Sequence, residues 1–183
     1  KICKPRVINY IETDIIILQN IMSFMSKQPS LSRLMDWESS FGVFSHHLKK
    51  EINFRSEAEN MELFRKIFSD SDVARAPEVE WSLTNENILT MEYIDGLSIN
   101  DVCEMEDMEF RKTLARNFLN SFFNQVITYG IFHGDPHPGN IRLTKEGKII
   151  YLDFGIVGHL DPHMTELLIR CFVALDKMNV EEM

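Results

Sequence analysis

The first seventy residues contain two stretches in which apolar side chains recur at every third or fourth position. In residues 9–27 the recurring apolar residues are Ile11, Ile15, Leu18, Met22 and Met25. This spacing predicts an amphipathic helix, which should end near Gln28-Pro29 because proline cannot continue the hydrogen-bonding pattern. A second helical stretch is predicted over residues 37–68 with a break near Gly42, and its later apolar positions are Phe54, Ala58, Met61, Phe64 and Ile67.

The pattern then alternates between short β-like runs and helices. Residues 79–94 predict two short runs around a polar turn at 84–87, and Asp95-Gly96 ends the second run. A long, well-buried helix is predicted over residues 106–129, with Gly130 as its C-terminal cap. Residues 141–152 predict a hairpin, and Asp161-Pro162 starts a last helix of about twenty residues. This order of elements predicts an α+β fold.

Composition narrows the class of protein. A length of 183 residues favours one domain over two, and 44% hydrophobic with 26% charged residues excludes a disordered chain. The net charge of −9 argues against a nucleic-acid binder, which would carry basic stripes. The cysteines Cys3, Cys103 and Cys171 lie far apart, which argues against a disulfide framework and predicts a reducing compartment.

The ends of the chain and its apolar runs give two further expectations. The sequence has neither an initiator methionine nor a signal peptide, so we expect a piece of a longer protein. The apolar run near the start, at residues 15–18, is far shorter than the roughly 20 residues of a membrane-spanning helix. We therefore expect no transmembrane segment in this chain.

The densest chemistry lies in the segment His133-Gly134-Asp135-Pro136-His137-Pro138-Gly139-Asn140. Its two prolines and two glycines predict a shaped loop rather than a helix or strand. The sequence Asp153-Phe154-Gly155 follows thirteen residues after Asn140, at the end of the predicted hairpin. The pattern H-x-D-x4-N, then a strand and D-F-G, is typical of the catalytic centre of protein kinases.

Phosphoryl transfer explains this spacing. One carboxylate must orient or deprotonate the attacking oxygen, while an amide oxygen and a second carboxylate hold Mg²⁺ against the phosphates. We assign Asp135 to the first role and Asn140 with Asp153 to the metal. Zinc binding by His133 and His137 is disfavoured because no third soft ligand lies nearby at metal-site spacing.

Four segments together resemble the UbiB/AarF/ADCK family of atypical kinase-like proteins. They are EINFRSEAEN at 51–60, MEYIDGLSI at 91–99, HGDPHPGN at 133–140 and YLDFGIVGHL at 151–160. The resemblance extends from residue 1 to about residue 175. The HGDxxxxN pattern alone also occurs in aminoglycoside and choline phosphotransferases, whereas E-x-x-F-R-x-E-A-x-N does not.

The resemblance implies a protein-kinase-like fold with a truncated small lobe that carries extra helices and a mostly helical large lobe. The small lobe would occupy residues 1–94 and the large lobe residues 95–183. Lys1 falls on the lysine that binds the ATP phosphates, and Glu57 falls on the helix glutamate that pairs with that lysine. The family's KxGQ segment and its alanine-rich nucleotide loop would lie upstream of Lys1.

Other positions of the nucleotide site also follow from the resemblance. Glu51 and Asn53 fall on the family's E-x-D pair near the nucleotide, where asparagine here replaces the aspartate. Glu92 and Ile94 fall on the hinge, whose backbone groups would contact adenine. Cys3 stands where the family usually has glutamine.

The resemblance further implies an ATP-binding, Mg²⁺-dependent kinase or ATPase that supports ubiquinone or other isoprenoid-lipid metabolism. Its partners would be ATP and ADP, an isoprenoid lipid or membrane surface, and quinone-biosynthesis proteins. It would work in bacterial cytoplasm, mitochondrial matrix or plastid, peripheral to the inner membrane.

Two alternatives remain open. One is a small-molecule phosphotransferase of the aminoglycoside or choline kinase type, and the other is a non-catalytic, nucleotide-sensing scaffold. Only residues 156–160 separate Gly155 from the helix cap at Asp161. This short connection predicts a small-molecule or lipid acceptor, or ATP hydrolysis, rather than a protein substrate.

Overall fold

The structure is a computed structural model. The structure describes residues 1–4, 7–28, 36, 37, 39–42, 44, 45 and 53–177. They belong to two compact units, one formed by Lys1–Glu59 with Val79–Thr90 and the other by Asn60–Glu78 with Met91–Met183. The lobe boundary predicted at residue 94 stays a prediction.

The first unit contains the first predicted helix, α1 (Val7–Ser26), which begins two residues earlier than expected and ends one residue earlier. Residues 1–3 run antiparallel to residues 87–89. The Leu89 N–H donates to the Lys1 carbonyl at 2.9 Å, and the Cys3 N–H donates to the Asn87 carbonyl at 2.9 Å. These two bonds hold the backbone of Lys1 and Cys3 against residues 87–89. No helix among the described residues has the length and apolar character needed to span a membrane.

The second predicted helix is confirmed over α2 (Phe54–Ile67). Its first turn is capped by Asn53, whose side-chain Oδ1 accepts the N–H groups of Arg55 at 3.0 Å and Ser56 at 3.4 Å. Asparagine caps helices about as well as aspartate, so Asn53 performs this structural task without a charge. Much of the earlier part of the predicted helix, including residues 46–52, lies outside the described residues.

The first β-like run predicted in residues 79–94 is confirmed only at its start, where the Glu80 N–H donates to the Thr90 carbonyl at 2.9 Å and the Glu92 N–H donates to the Glu78 carbonyl at 2.8 Å. Residues Trp81–Leu83 form a short 3₁₀ turn instead. The Glu80 carboxylate accepts the Ser82 hydroxyl at 2.6 Å and the Ser82 N–H at 3.2 Å, and the hydroxyl bond lowers the pKa of Glu80. This local cap offers the backbone an alternative to strand pairing. The polar turn that follows is present, with the Asn85 N–H donating to the Ile88 carbonyl at 2.8 Å.

The described part of the second unit contains five short strands: β1 (Ala74–Arg75), β2 (Ile131–His133), β3 (Ile141–Leu143), β4 (Ile149–Tyr151) and β5 (Val157–His159). One sheet has the order β1-β4-β3, with β1 parallel to β4 and β3 antiparallel to β4. The predicted hairpin is therefore confirmed as the β3–β4 pair. A second sheet pairs β2 with β5 antiparallel, which the sequence pattern did not predict.

Besides the end of α2, the described part of this unit contains three helices: α3 (Ile99–Glu104), α4 (Met108–Phe123) and α5 (Pro162–Lys177). The predicted long helix exists as α4, but it continues into a π-helix over Asn124–Tyr129 before Gly130 ends it with φ of 62°. The helix is less buried than predicted, since Tyr129 is 48% exposed. The π-helix changes the winding, so a 3.6-residue pattern no longer gives the direction of the later side chains. The predicted cap at Asp161 is confirmed, since its carboxylate accepts the Met164 N–H at 2.9 Å.

Replacing Gly96 with alanine is expected to destabilise the second unit by about 1–3 kcal/mol. A Cβ atom at this position would lie 2.8 Å from the Leu143 carbonyl oxygen, and that oxygen is held by the Leu97 N–H at 2.9 Å. Urea denaturation measures the loss. The matched control is Gly42→Ala, where a Cβ meets nothing within 4 Å and no loss is expected. Equal stabilities of the two variants would contradict the close approach.

Candidate active site

The loop between β2 and β3 is braced by its own backbone. The His137 N–H donates to the Asp135 carbonyl at 2.8 Å, and the Asn140 N–H donates to the His137 carbonyl at 2.8 Å. Pro138–Asn140 form a 3₁₀ turn that leads into β3. Asp135 is exposed, so a bound molecule could come within hydrogen-bond reach of it, which is what a general base needs.

The end of β4 lies directly beside this loop. The Leu152 N–H donates to the Asn140 carbonyl at 2.8 Å, which brings Asn140 next to Asp153. The Asp153 Oδ1 atom accepts the Gly155 N–H at 3.0 Å, so a turn orients this carboxylate. The structure thus brings together two of the predicted site residues.

The chemistry of these two side chains fits Mg²⁺, which prefers oxygen ligands and keeps several waters. Asn140 offers an amide oxygen and Asp153 a carboxylate. Within the described residues there is no cluster of three or more His, Cys, Asp or Glu side chains that could hold a metal. Phosphate oxygens and water would therefore have to complete the ligand set, and the metal role stays a prediction.

The two loop histidines direct their Nδ1 atoms at backbone N–H groups. His133 Nδ1 accepts the Asp135 N–H at 3.1 Å, and His137 Nδ1 accepts the Gly139 N–H at 3.0 Å. A nitrogen lone pair that accepts a hydrogen bond is not offered to a metal. Both interactions shape the loop around Asp135.

An aromatic core supports the loop and the strand end. Phe154 is fully buried, with its ring centroid 4.9 Å from that of Phe64 and 5.4 Å from that of His133. The Asn60 side chain donates to the Phe154 carbonyl at 2.9 Å, a contact that sequence reasoning missed. The available signal was the asparagine that ends the EINFRSEAEN segment.

In the first unit, the Lys1 Nζ atom hydrogen-bonds the Glu57 carboxylate. Glu57 is only 6% exposed, whereas the Lys1 side chain is 27% exposed. The structure therefore forms the ion pair that the family resemblance implies. A buried carboxylate requires such a partner, because it would otherwise carry an uncompensated charge. Glu51, the other predicted residue of this region, lies outside the described residues.

The predicted hinge residues Glu92 and Ile94 differ in whether their backbone N–H groups are hydrogen-bonded. The Glu92 N–H already donates to the Glu78 carbonyl at 2.8 Å, so only the Glu92 carbonyl remains to face adenine. The Glu92 carboxylate forms a bidentate pair with Arg75 at 2.7 and 2.9 Å, and this bonding lowers the pKa of Glu92. No hydrogen bond within the described part of the chain uses the Ile94 N–H. These groups are compatible with adenine contacts, which stay a prediction.

A cavity of about 460 Å³ lies in the second unit beside the loop prolines Pro136 and Pro138. Apolar side chains of α3, α4, β3 and β4 line most of it, and Arg111 alone is charged among the described residues of the lining. Triphosphate and Mg²⁺ need several polar partners. The cavity is therefore unsuited to the phosphates of a nucleotide.

The α+β architecture, the shaped loop and the adjoining strand end define a protein-kinase-like domain. The solved structure of Rv3197 from Mycobacterium tuberculosis, in complex with erythromycin, has a similar fold with a TM-score of 0.72. The likeness covers 82% of this chain and 37% of that protein at 22% sequence identity. The predicted kinase-like α+β fold class is confirmed at this level.

Sequence relatives define the family. The protein ACTIVITY OF BC1 COMPLEX KINASE 8, chloroplastic, of Arabidopsis thaliana is 32% identical over 177 residues, covering 94% of this chain and 23% of the relative. The uncharacterized protein sll1770 of Synechocystis is 30% identical, covering 99% of this chain and 31% of the relative. The ABC1 atypical kinase-like domain matches residues 1–183, and the chain belongs to that family. The resemblance to the UbiB/AarF/ADCK family is thereby confirmed, and the chain spans less than a third of either relative.

Proposed function

We propose that this chain is the ATP-binding, Mg²⁺-dependent domain of an atypical kinase or ATPase of the UbiB type. The observation that carries the proposal is the Leu152 to Asn140 hydrogen bond, which sets Asn140 beside Asp153. An amide and a carboxylate in this arrangement, with a catalytic aspartate five residues before the amide, are the polar groups that kinases use. Family membership supports the same chemistry.

Each loop residue then has a defined task. Asp135 orients the attacking oxygen and accepts its proton. Asn140 and Asp153 hold Mg²⁺, which when bound neutralises charge on the phosphates. The exposed position of Asp135 and the oriented carboxylate of Asp153 suit these tasks.

Lys1 is proposed to bind the ATP phosphates, with Glu57 holding its Nζ atom in place. The carbonyl of Glu92 and the N–H of Ile94 are proposed to contact adenine. Glu51 is proposed to act near the nucleotide, as the family resemblance implies. These assignments rest on the resemblance together with the hydrogen bonding described above.

The short connection after Gly155 supports a small acceptor. Residues 157–159 form β5 and pair with β2 in the register His133 to Val157, so they are committed to a sheet. A peptide substrate would need an extended platform in this position. We therefore propose a lipid, a small molecule or water as the acceptor, with a role in isoprenoid-quinone metabolism in a reducing compartment at a membrane surface. The same feature also fits the small-molecule phosphotransferase alternative.

The test measures ADP release by the full-length protein that contains this chain, with Mg²⁺ and with the metal removed by chelation. We expect nucleotide binding and ADP release that depend on Mg²⁺. ADP release matched by phosphorylation of an aminoglycoside or choline, and not of an isoprenoid lipid, would favour the small-molecule phosphotransferase. Nucleotide binding without turnover would favour the scaffold, and absence of nucleotide binding would refute all three.

A further inference from the structure

A buried chain of polar groups connects the interior of the second unit to the loop that carries Asp135. The Tyr151 hydroxyl lies 3.1 Å from Ser121 Oγ, and Gln125 Nε2 donates to Ser121 Oγ at 3.2 Å. At the other end, Gln125 Oε1 accepts the His133 N–H at 2.9 Å. Tyr151, Ser121 and Gln125 are at most 1% exposed, and burial raises the pKa of Tyr151. The network is therefore neutral and shielded from water.

The direction of these bonds fixes the orientation of the Gln125 amide. The His133 N–H can only donate, so the Gln125 oxygen must face it and the Gln125 nitrogen must face Ser121. Ser121 and Gln125 lie four residues apart and share one helical face. Gln125 is the second residue of the π-helix Asn124–Tyr129, a type of element that is frequent at functional sites.

The bond at His133 reaches Asp135 in one further step. His133 Nδ1 accepts the Asp135 N–H at 3.1 Å, and the Asp135 carbonyl accepts the His137 N–H at 2.8 Å. Among the described residues no side chain hydrogen-bonds the Asp135 carboxylate. The position of that carboxylate is therefore set through the Asp135 backbone, whose N–H is held by the His133 imidazole.

We propose that Gln125 is a positioning residue for Asp135. By holding the His133 backbone, Gln125 fixes the imidazole that accepts the Asp135 N–H, and so fixes where the Asp135 carboxylate points. Gln125 itself touches neither substrate nor nucleotide. The inference deepens the proposed function and rests on it, because it assigns Gln125 to the chemical step.

The test compares three variants of the full-length protein. Gln125→Met keeps the size of the side chain but removes the acceptor, and kcat for ADP release is expected to fall about tenfold or more, as misplaced catalytic groups do, with KM for ATP unchanged. Gln125→Glu retains an acceptor oxygen for the His133 N–H. Because burial without a cation favours the protonated carboxyl, it can also donate to Ser121 as the amide does, and it is expected to recover most of kcat. Tyr151→Phe is the matched control, because it removes a hydroxyl that contacts both Ser121 and Gln125. It keeps the acceptor of the His133 N–H and the ring that packs 5.2 Å from His133. It should lower Tm but leave kcat unchanged.

Three outcomes would overturn the proposal: wild-type kcat in Gln125→Met, an equal fall of kcat in Tyr151→Phe, or no recovery in Gln125→Glu. A second readout keeps this proposal separable from the proposed function. Amide hydrogen exchange in residues 131–136, followed by mass spectrometry, should accelerate in Gln125→Met and not in Tyr151→Phe. Unchanged exchange would refute positioning, whereas absence of ATP turnover in the wild type would refute the proposed function alone.

Discussion

Replacing Asp153 with asparagine is expected to reduce ATP turnover by about a hundredfold or more, the scale of losing one group that stabilises transition-state charge. The substitution removes a negative charge from the proposed Mg²⁺ site. It should preserve the fold, because an asparagine Oδ1 atom can accept the Gly155 N–H as the Asp153 carboxylate does at 3.0 Å. The measurements are kcat for ADP release and Tm of the full-length protein.

Asp161→Asn provides a matched control for that result. It makes the same change of charge at the cap of α5, where the carboxylate accepts the Met164 N–H at 2.9 Å. Asparagine and aspartate cap helices about equally well, so both kcat and Tm should stay at wild-type values. Full ATP turnover in Asp153→Asn would disprove the metal assignment.

Replacing Phe64 with alanine is expected to lower the free energy of unfolding by about 3–5 kcal/mol. The Phe64 side chain is fully buried, and its ring centroid lies 4.9 Å from Phe154 and 5.6 Å from Phe68. Its removal opens a cavity beneath the segment that carries Asp153. Urea denaturation of the full-length protein measures this loss, with a spectroscopic probe placed in this domain to report its unfolding.

The control for Phe64 is Phe24→Ala on α1, where the ring is 64% exposed. Surface substitutions of this kind usually change stability by about 0.5 kcal/mol or less. A loss at Phe64 no larger than at Phe24 would show that the aromatic core does not support the domain.

Long periodic elements could be predicted from the sequence, whereas short ones could not. The helices α1 and α2 repeat their apolar positions over several turns, and Asp161-Pro162 marks the start of α5 by its cap chemistry. Strand β5 has only three residues with Gly158 in the middle, so it leaves no alternating pattern. Helix α3 is also short, and its signal was the capping box formed by Ser98 and Asp101.

The candidate site also contains residues that the sequence could predict and residues that it could not. The spacing of Asp135, Asn140 and Asp153 could be interpreted directly, because phosphoryl transfer constrains which groups must be near one another. The contact between Gln125 and His133 could not be predicted from the sequence. It depends on a π-helix, which no propensity pattern distinguishes from an α-helix. The 3₁₀ turn after Glu80 was missed because one hydroxyl contact outweighed a weak β pattern.

The sheet formed by β2 and β5 has a consequence for how activity can be controlled. Asp153 is bracketed by the Leu152 to Asn140 bond on one side and by the Gly134 to Ile156 bond, 2.9 Å long, on the other. If residues 153–155 moved between two conformations, both bonds and the pairing of β2 with β5 would have to break. Protein kinases are usually switched on by phosphorylation of a movable segment, whereas most of the described residues between Gly155 and Lys177 belong to β5 and α5.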